Sequence, residues 1–263
     1  MKSILITGAF GGMGKATSQL LAEMGYRVFA LDLRVKEACE NIIPIKADIT
    51  DEESLNNAVE VVKSYTDELF AIIHFAGIYM LDSLVEMGKD AFERIYKINF
   101  LGAFLVNKCF LPLLKKGSKI LITTSELASL NPLPFTGIYA IMKGALDKYA
   151  FSLRMELQLL GIDVCVLRAG AVKTDMLGVS TNALDRFVEK TKLYSCNAKR
   201  FKSIVDRVEA KSIPTEKLAH RVAKIIKKKK PAFAYSINRN PLLLTLSILP
   251  HRIQFFAISK VLK

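Results

Sequence analysis

The sequence predicts an α/β chain built on one doubly wound, parallel sheet. Three observations carry that expectation. Short apolar runs alternate with longer helical patterns through the first two-thirds of the chain. The runs are continuous rather than alternating, as strands buried on both faces require. A glycine cluster, TGAFGGMG at Thr7–Gly14, joins the first run to the first helical pattern. At 263 residues, 51% hydrophobic and 24% charged, the chain can bury a large core without staples.

In order, Lys2–Thr7 reads as a strand, Gly14–Met24 as a helix, and Arg27–Leu31 and Ile42–Lys46 as strands. Asp51–Ser64 has a helix start signal, with Thr50 as N-cap and Glu53 three residues on. Leu69–His74 is a strand, Asp90–Leu114 a long helix and Lys119–Thr124 a strand rich in Ile and Thr. Gly137–Leu160 is a second long helix, ended by Gly161, and Ile162–Leu167 is a strand. After Val172 the pattern turns polar, basic and helical over 173–212, then gives a helix at Thr215–Lys228 and a last strand at Ala232–Ser236. No repeat or low-complexity linker divides the chain. It reads as a single domain, 1–263, with a helical insertion at 173–212 and an apolar helical tail at 241–263.

Asn240–Pro241 combines an N-cap with proline at the first helical position. The tail beyond it, Leu242–Leu262, is apolar but broken by Pro250, His251 and Arg252. Such a tail covers its own core or a hydrophobic pocket, packs on another subunit, or lies in a membrane interface helped by Lys260 and Lys263.

Composition excludes several classes. No run reaches 18 apolar residues, so a spanning helix is not expected, and Ile4–Ile6 is too short for a secretory leader. Cys39, Cys109, Cys165 and Cys196 form no CxxC pair, and with only His74, His220 and His251 a zinc site is not expected. Spaced cysteines read as buried thiols in a reducing, cytoplasmic setting, with membrane association left open. The net charge of +13 is concentrated at Arg186–Lys230, with fifteen Lys or Arg against four acids. That stretch is either a solvated basic surface or an attractor of nucleic acid, acidic lipid or an acidic carrier.

The chemistry-bearing residues fall at the carboxyl ends of the strands. Gly8, Gly12 and Gly14 let the backbone turn tightly and approach a pyrophosphate at a helix N-terminus. Asp32 ends the second strand, where a carboxylate accepts ribose hydroxyls and repels a 2′-phosphate; NAD is therefore preferred to NADP, although Arg34 stands nearby. Tyr139 and Lys143, four residues apart on a helix, share a face. Bringing a phenol from its usual pKa near 10 to about 7 takes roughly 4 kcal/mol, and a nearby ammonium has the right sign. Ser125 follows the strand KILITT, and Asn99 lies inside a helical pattern that disfavours asparagine.

Together these motifs resemble the short-chain dehydrogenase/reductase family over nearly the whole chain, and hydroxysteroid dehydrogenases within it. The resemblance rests on TGxxxGxG at Thr7–Gly14, Ser125, YxxxK at Tyr139–Lys143, Asn99, and AGAVKTDM at Ala169–Met176. It implies a Rossmann-type fold and hydride transfer between a nicotinamide and an alcohol–ketone pair, with Asn99, Ser125, Tyr139 and Lys143 as the catalytic set. Asn99 would support a water relay beside Lys143. The implied cofactor contacts are Gly8, Gly12, Met13, Gly14, Asp32, Asp48, Ile49, Ala76, Gly77, Tyr139, Lys143, Val172 and Thr174, with Asp48 near the adenine. Two departures stand out. The family's NNAG is HFAG here, putting His74 in a structural place, and Ala169 replaces a proline.

The implied substrate is a bulky lipophilic alcohol or ketone such as a hydroxysteroid, covered by the long 178–212 segment. A 3-oxoacyl-thioester reductase using NADPH is the second reading, and a non-catalytic nucleotide sensor that binds nucleic acid or membrane the third. Relatives pair through the two long helices, so a homodimer or homotetramer is expected.

Overall fold

The computed structural model describes residues 1–209 and 211–263, with the backbone alone for 175–182 and 207–209. Seven strands make one all-parallel sheet: β1 Ser3–Thr7, β2 Arg27–Asp32, β3 Ile42–Lys46, β4 Leu69–His74, β5 Leu114–Ser125, β6 Asp163–Ala169 and β7 Ala234–Ile237. Their order is β3-β2-β1-β4-β5-β6-β7. The winding reverses between β1 and β4, and ligands of such sheets bind at that crevice.

Helices α1 Gly12–Glu23, α2 Glu52–Lys63, α3 Lys89–Tyr96, α4 Gly102–Phe110, α5 Gly137–Leu157 and α8 Thr215–Ile226 flank the sheet. Two apolar layers result, one per face. Leu5, Phe29, Val106, Phe110 and Ile120 lie in one, and Ile4, Ile6, Ile73, Leu121 and Val222 in the other. Alternate residues of β1 and β5 thus serve opposite layers, which explains why these strands read as unbroken apolar runs.

Three details differ from the sequence expectation. The cap of α2 is Asp51, whose side chain accepts the Glu53 N–H at 3.1 Å. Thr50 is unavailable because its hydroxyl donates to Asp48 at 2.7 Å. The long helix expected over Asp90–Leu114 is three pieces: α3, a π-turn at Lys97–Leu101 and α4, after which a 3₁₀ turn leads into an early start of β5 at Leu114. Two of the four cysteines, Cys39 and Cys196, are exposed rather than buried, one beside the turn into β3 and one in the basic insertion.

The basic insertion folds as α6 Asp175–Lys190 and α7 Ser195–Glu209. Phe187 and Phe201 turn inward onto Phe135, with ring centroids 4.7 and 5.5 Å away. Phe135 sits at φ 66°, a left-handed conformation that costs a non-glycine residue energy and is offset here by this aromatic packing. The side chains of Asp175 and Met176, from the AGAVKTDM segment, and of Arg207 lie outside those described. The tail forms α9 Pro241–Ile248 and α10 His251–Leu262. Asn240 caps α9 as expected, accepting the Leu242 and Leu243 N–H groups.

Candidate active site

The glycine turn has the shape a dinucleotide needs. A Cβ on Gly8, whose φ is 65°, would lie 2.6 Å from the Ala76 nitrogen. One on Gly12 would lie 2.8 Å from the Thr174 methyl, and one on Gly14 would collide with the Gly8 carbonyl. The cradle therefore admits only glycine at its crossing points. Helix α1 has Gly11 as its N-cap and so no side-chain cap, leaving its first N–H groups for an anion.

At the outer ends of β2 and β3, Asp32 and Asp48 already hold backbone. Asp32 accepts Phe10 N–H at 3.0 Å and Arg34 N–H at 3.2 Å, tying the glycine turn to the strand end. Asp48 accepts Thr50 N–H at 2.8 Å, and Ile49 packs where a Gly102 side chain would go. These residues lie apart from the cavity described next, as the two ends of a dinucleotide would.

A cavity of about 490 Å³ opens over the carboxyl ends of β4, β5 and β6. Met13, Gly77, Ser125, Tyr139, Lys143, Val172 and Thr174 all face it, so seven of the residues expected from sequence meet there. Strand β5 delivers Ser125 as its last residue, and α5 brings Tyr139 and, one turn on, Lys143. The Ser125 hydroxyl oxygen accepts Leu127 N–H at 3.2 Å, which starts the next turn and fixes the hydroxyl. Val172 is held from behind by a parallel bridge to Ile213.

Burial dominates the site's electrostatics. Tyr139 is half-buried, its ring edge-on to Tyr79 at 4.8 Å. Desolvation pushes its phenol up to about 12, opposed by a hydrogen bond with Ser125. Lys143 is buried, and desolvation brings it down to about 8. Its Nζ donates to the Thr123 carbonyl at 3.1 Å and stands 5.9 Å from the Tyr139 ring centroid. The downward pull on Tyr139 expected from Lys143 therefore does not prevail in the chain alone, because the ammonium is turned toward a backbone oxygen.

Asn99 lies in the π-turn, buried, and its amide pairs twice with one residue: Oδ1 accepts Ile78 N–H and Nδ2 donates to Ile78 O, both at 2.8 Å. It is thus a clamp on the chain after Gly77. His74 is buried, with Nε2 and Asn107 Oδ1 at 2.9 Å, and Asn107 donates to the Tyr149 hydroxyl at 3.2 Å. Desolvation lowers its pKa to about 4, against the Asn107 hydrogen bond and helped by Lys143. This is the structural place expected for it.

Sequence reading missed Glu126. It is buried beside Ser125, faces the cavity, and accepts Asn240 N–H at 2.7 Å through Oε2. Burial raises its pKa, against the Asn240 bond and Arg239. The available signal was an acid directly after Ser125 at a strand end. Tyr79 and the tail residues Leu243, Leu246 and Ile258 also face the cavity, and only the tail's apolarity announced them.

Comparison with known proteins fits this geometry. Residues 2–185 match the family model described as short chain dehydrogenase. The chain is 27% identical over 232 residues to a 3-ketodihydrosphingosine reductase of Bacteroides thetaiotaomicron, covering 88% of this chain and 85% of that one. It is 32% identical over 192 residues to estradiol 17-beta-dehydrogenase 2 of Mus musculus, covering 67% of this chain but only 50% of that longer protein. A solved short chain dehydrogenase family protein from Francisella tularensis superposes with a TM-score of 0.75 at 22% identity, over 90% of this chain and 97% of the other.

The chain belongs to the short-chain dehydrogenase/reductase family. It is an oxidoreductase of the class that acts on CH–OH or keto groups with a nicotinamide cofactor.

Proposed function

We propose that the chain interconverts a secondary alcohol and a ketone on a bulky lipophilic molecule, such as a hydroxysteroid, using NAD. One observation carries this reading: Ser125, Tyr139 and Lys143 face a single, largely apolar cavity whose far wall is made by the tail helices. A cavity of about 490 Å³ is in the range that encloses a molecule of this size. The names of the two curated relatives, a ketosphingoid reductase and an estradiol dehydrogenase, support a large lipophilic substrate.

The glycine cradle, Asp32 and Lys143 would hold the cofactor, which supplies the hydride acceptor or donor when bound. Tyr139 passes the proton to or from the substrate oxygen, and Ser125 donates a hydrogen bond to that oxygen. Lys143 holds the nicotinamide ribose, and Asn99 fixes the Gly77–Ile78 backbone beside it. Asp32 favours NAD, since a 2′-phosphate beside its carboxylate meets like charge. We read residues 1–263 as one catalytic domain, with 173–212 as the substrate cover. Exposed Phe104, Ile141, Phe151 and Met155 on α4 and α5 support pairing of two copies through those helices.

The test is a pooled turnover screen of hydroxysteroids, 3-hydroxyacyl thioesters and short polyols with NAD and NADP, with Tyr139→Phe as blank. Steroid turnover with NAD, absent in the blank, is expected. Activity confined to short polyols would refute the reading. Thioester turnover with NADP would instead establish the carrier-thioester alternative, which the basic 186–230 stretch favours and Asp32 opposes.

A further inference from the structure

Helix α9, PLLLTLSI, is apolar all round, yet none of its residues is fully buried. A helix without a polar face needs apolar cover on every side. The protein covers one side only: Leu243 and Leu246 face the cavity. On the outside, Ile248 is 82% exposed. Helix α10 repeats the arrangement. Ile258 and Leu262 turn inward, while Phe255 and Phe256 stand 70% and 64% exposed. Both tail helices therefore line the cavity with some apolar side chains and carry other large ones to solvent.

The charge of the tail has one sign. After Glu216 the chain contains no acid and eleven Lys or Arg. Within the tail, Arg252, Lys260 and Lys263 flank the apolar residues, and the Lys260 ammonium lies 5.7 Å from the Phe256 ring centroid. Helix α7, which packs on α10, adds exposed Lys199 and Arg200. A second copy seated on this face about a two-fold axis would set these cations against themselves. An anionic lipid surface accepts both features, apolar side chains below the headgroups and ammonium groups among them.

We propose that α9 and α10 dock this protein on an anionic membrane surface, so that a lipophilic substrate enters the cavity from the bilayer between them. The proposal deepens the lipophilic-substrate reading, but its test needs no substrate. The full-length protein is floated with phosphatidylcholine vesicles and with phosphatidylcholine vesicles doped with phosphatidylserine. Binding to the doped vesicles is expected, weakening as salt rises. The double variant Phe255→Ser, Phe256→Ser should partition about tenfold or more less strongly. Leu159→Ser, an exposed apolar change in the turn after α5, should bind as the parent does. NADH binding by calorimetry shows that each variant is folded. Failure to bind any vesicle, undiminished binding by the double variant, or equal binding to undoped vesicles would overturn the proposal. So would a fall in sedimenting mass on making the double variant, which would identify a second copy as the occupant. Steroid turnover alongside absent vesicle binding would remove the docking surface and leave the substrate reading standing.

Discussion

His74 shows how much a single side chain can cost when buried. Its folded pKa, about 4, lies below the ordinary 6.5 because desolvation outweighs the Asn107 hydrogen bond. The unfolded chain therefore binds the extra proton first, and stability falls as pH drops from 6.5 to about 4, by roughly 3 kcal/mol, and not further below. Thermal melts across that window should show the slope. His74→Gln, which keeps a polar group near Asn107 without titrating, should flatten it; an unchanged slope would assign the effect elsewhere. Tyr139→Phe should lower turnover by about a thousandfold while leaving NADH affinity within about twofold, measured by steady-state kinetics and calorimetry. Asp32→Ala should narrow the preference for NADH over NADPH by tenfold or so, since the repelling carboxylate is gone. Tyr139, Lys143 and Ser125 were readable because a spacing and a strand end announce them. Glu126 was not, because its partner Asn240 lies 114 residues away.

Among elements, the junction between β7 and α9 joins the tail to the catalytic edge of the sheet. Asn240 contributes twice: its side chain caps α9, and its own N–H is held by Glu126 beside Ser125. Asn240→Ala should remove about 1 kcal/mol of stability through the lost cap. If α9 is a wall of the substrate cavity, KM should rise more than kcat falls. Equal losses in both would place the residue's role in overall folding alone. Apolar composition announced a helical tail and the Asn–Pro pair its start, while its division into two helices at Pro250 came from the structure. Hydrophobic periodicity did not reveal the π-turn at Lys97–Leu101, because α3 and α4, of 8 and 9 residues, are each too short to display the change of phase between them. Nor did it distinguish Thr50 from Asp51 as the cap of α2; that choice depended on which oxygen Asp48 had already engaged.

For the whole molecule, all seven strands and their parallel character followed from apolar runs and helical spacers, since each run has to be buried on both faces. The cavity was less accessible to sequence reading. Its walls come from the loop after β4, the turn after β5, α7 and the tail, and only folding brings those stretches together. The aromatic cluster around Phe135 is a similar case, because only the packing of the insertion brings Phe187 and Phe201 onto it. The paired-helix reading makes a prediction at this scale. Phe151→Glu with Met155→Glu on α5 should reduce the sedimenting mass to that of one chain, whereas the Phe255, Phe256 variant should not change it. A parent chain that sediments as a monomer at all concentrations would remove the pairing.

The π-turn also has a genetic consequence. Each helical residue advances the chain by about 100°, so the extra residue at Lys97–Leu101 resets the rotation between α3 and α4. With it, Asn99 reaches Ile78 while Gly102 still fits against Ile49 and Val106 and Phe110 still enter the core. Losing one codon there would restore an ordinary helix but leave only one of those two alignments intact. Single-codon deletions should therefore be purged across 97–101, yet tolerated in the exposed loop at 35–38. A library of in-frame deletions, scored for folded protein, would display that contrast.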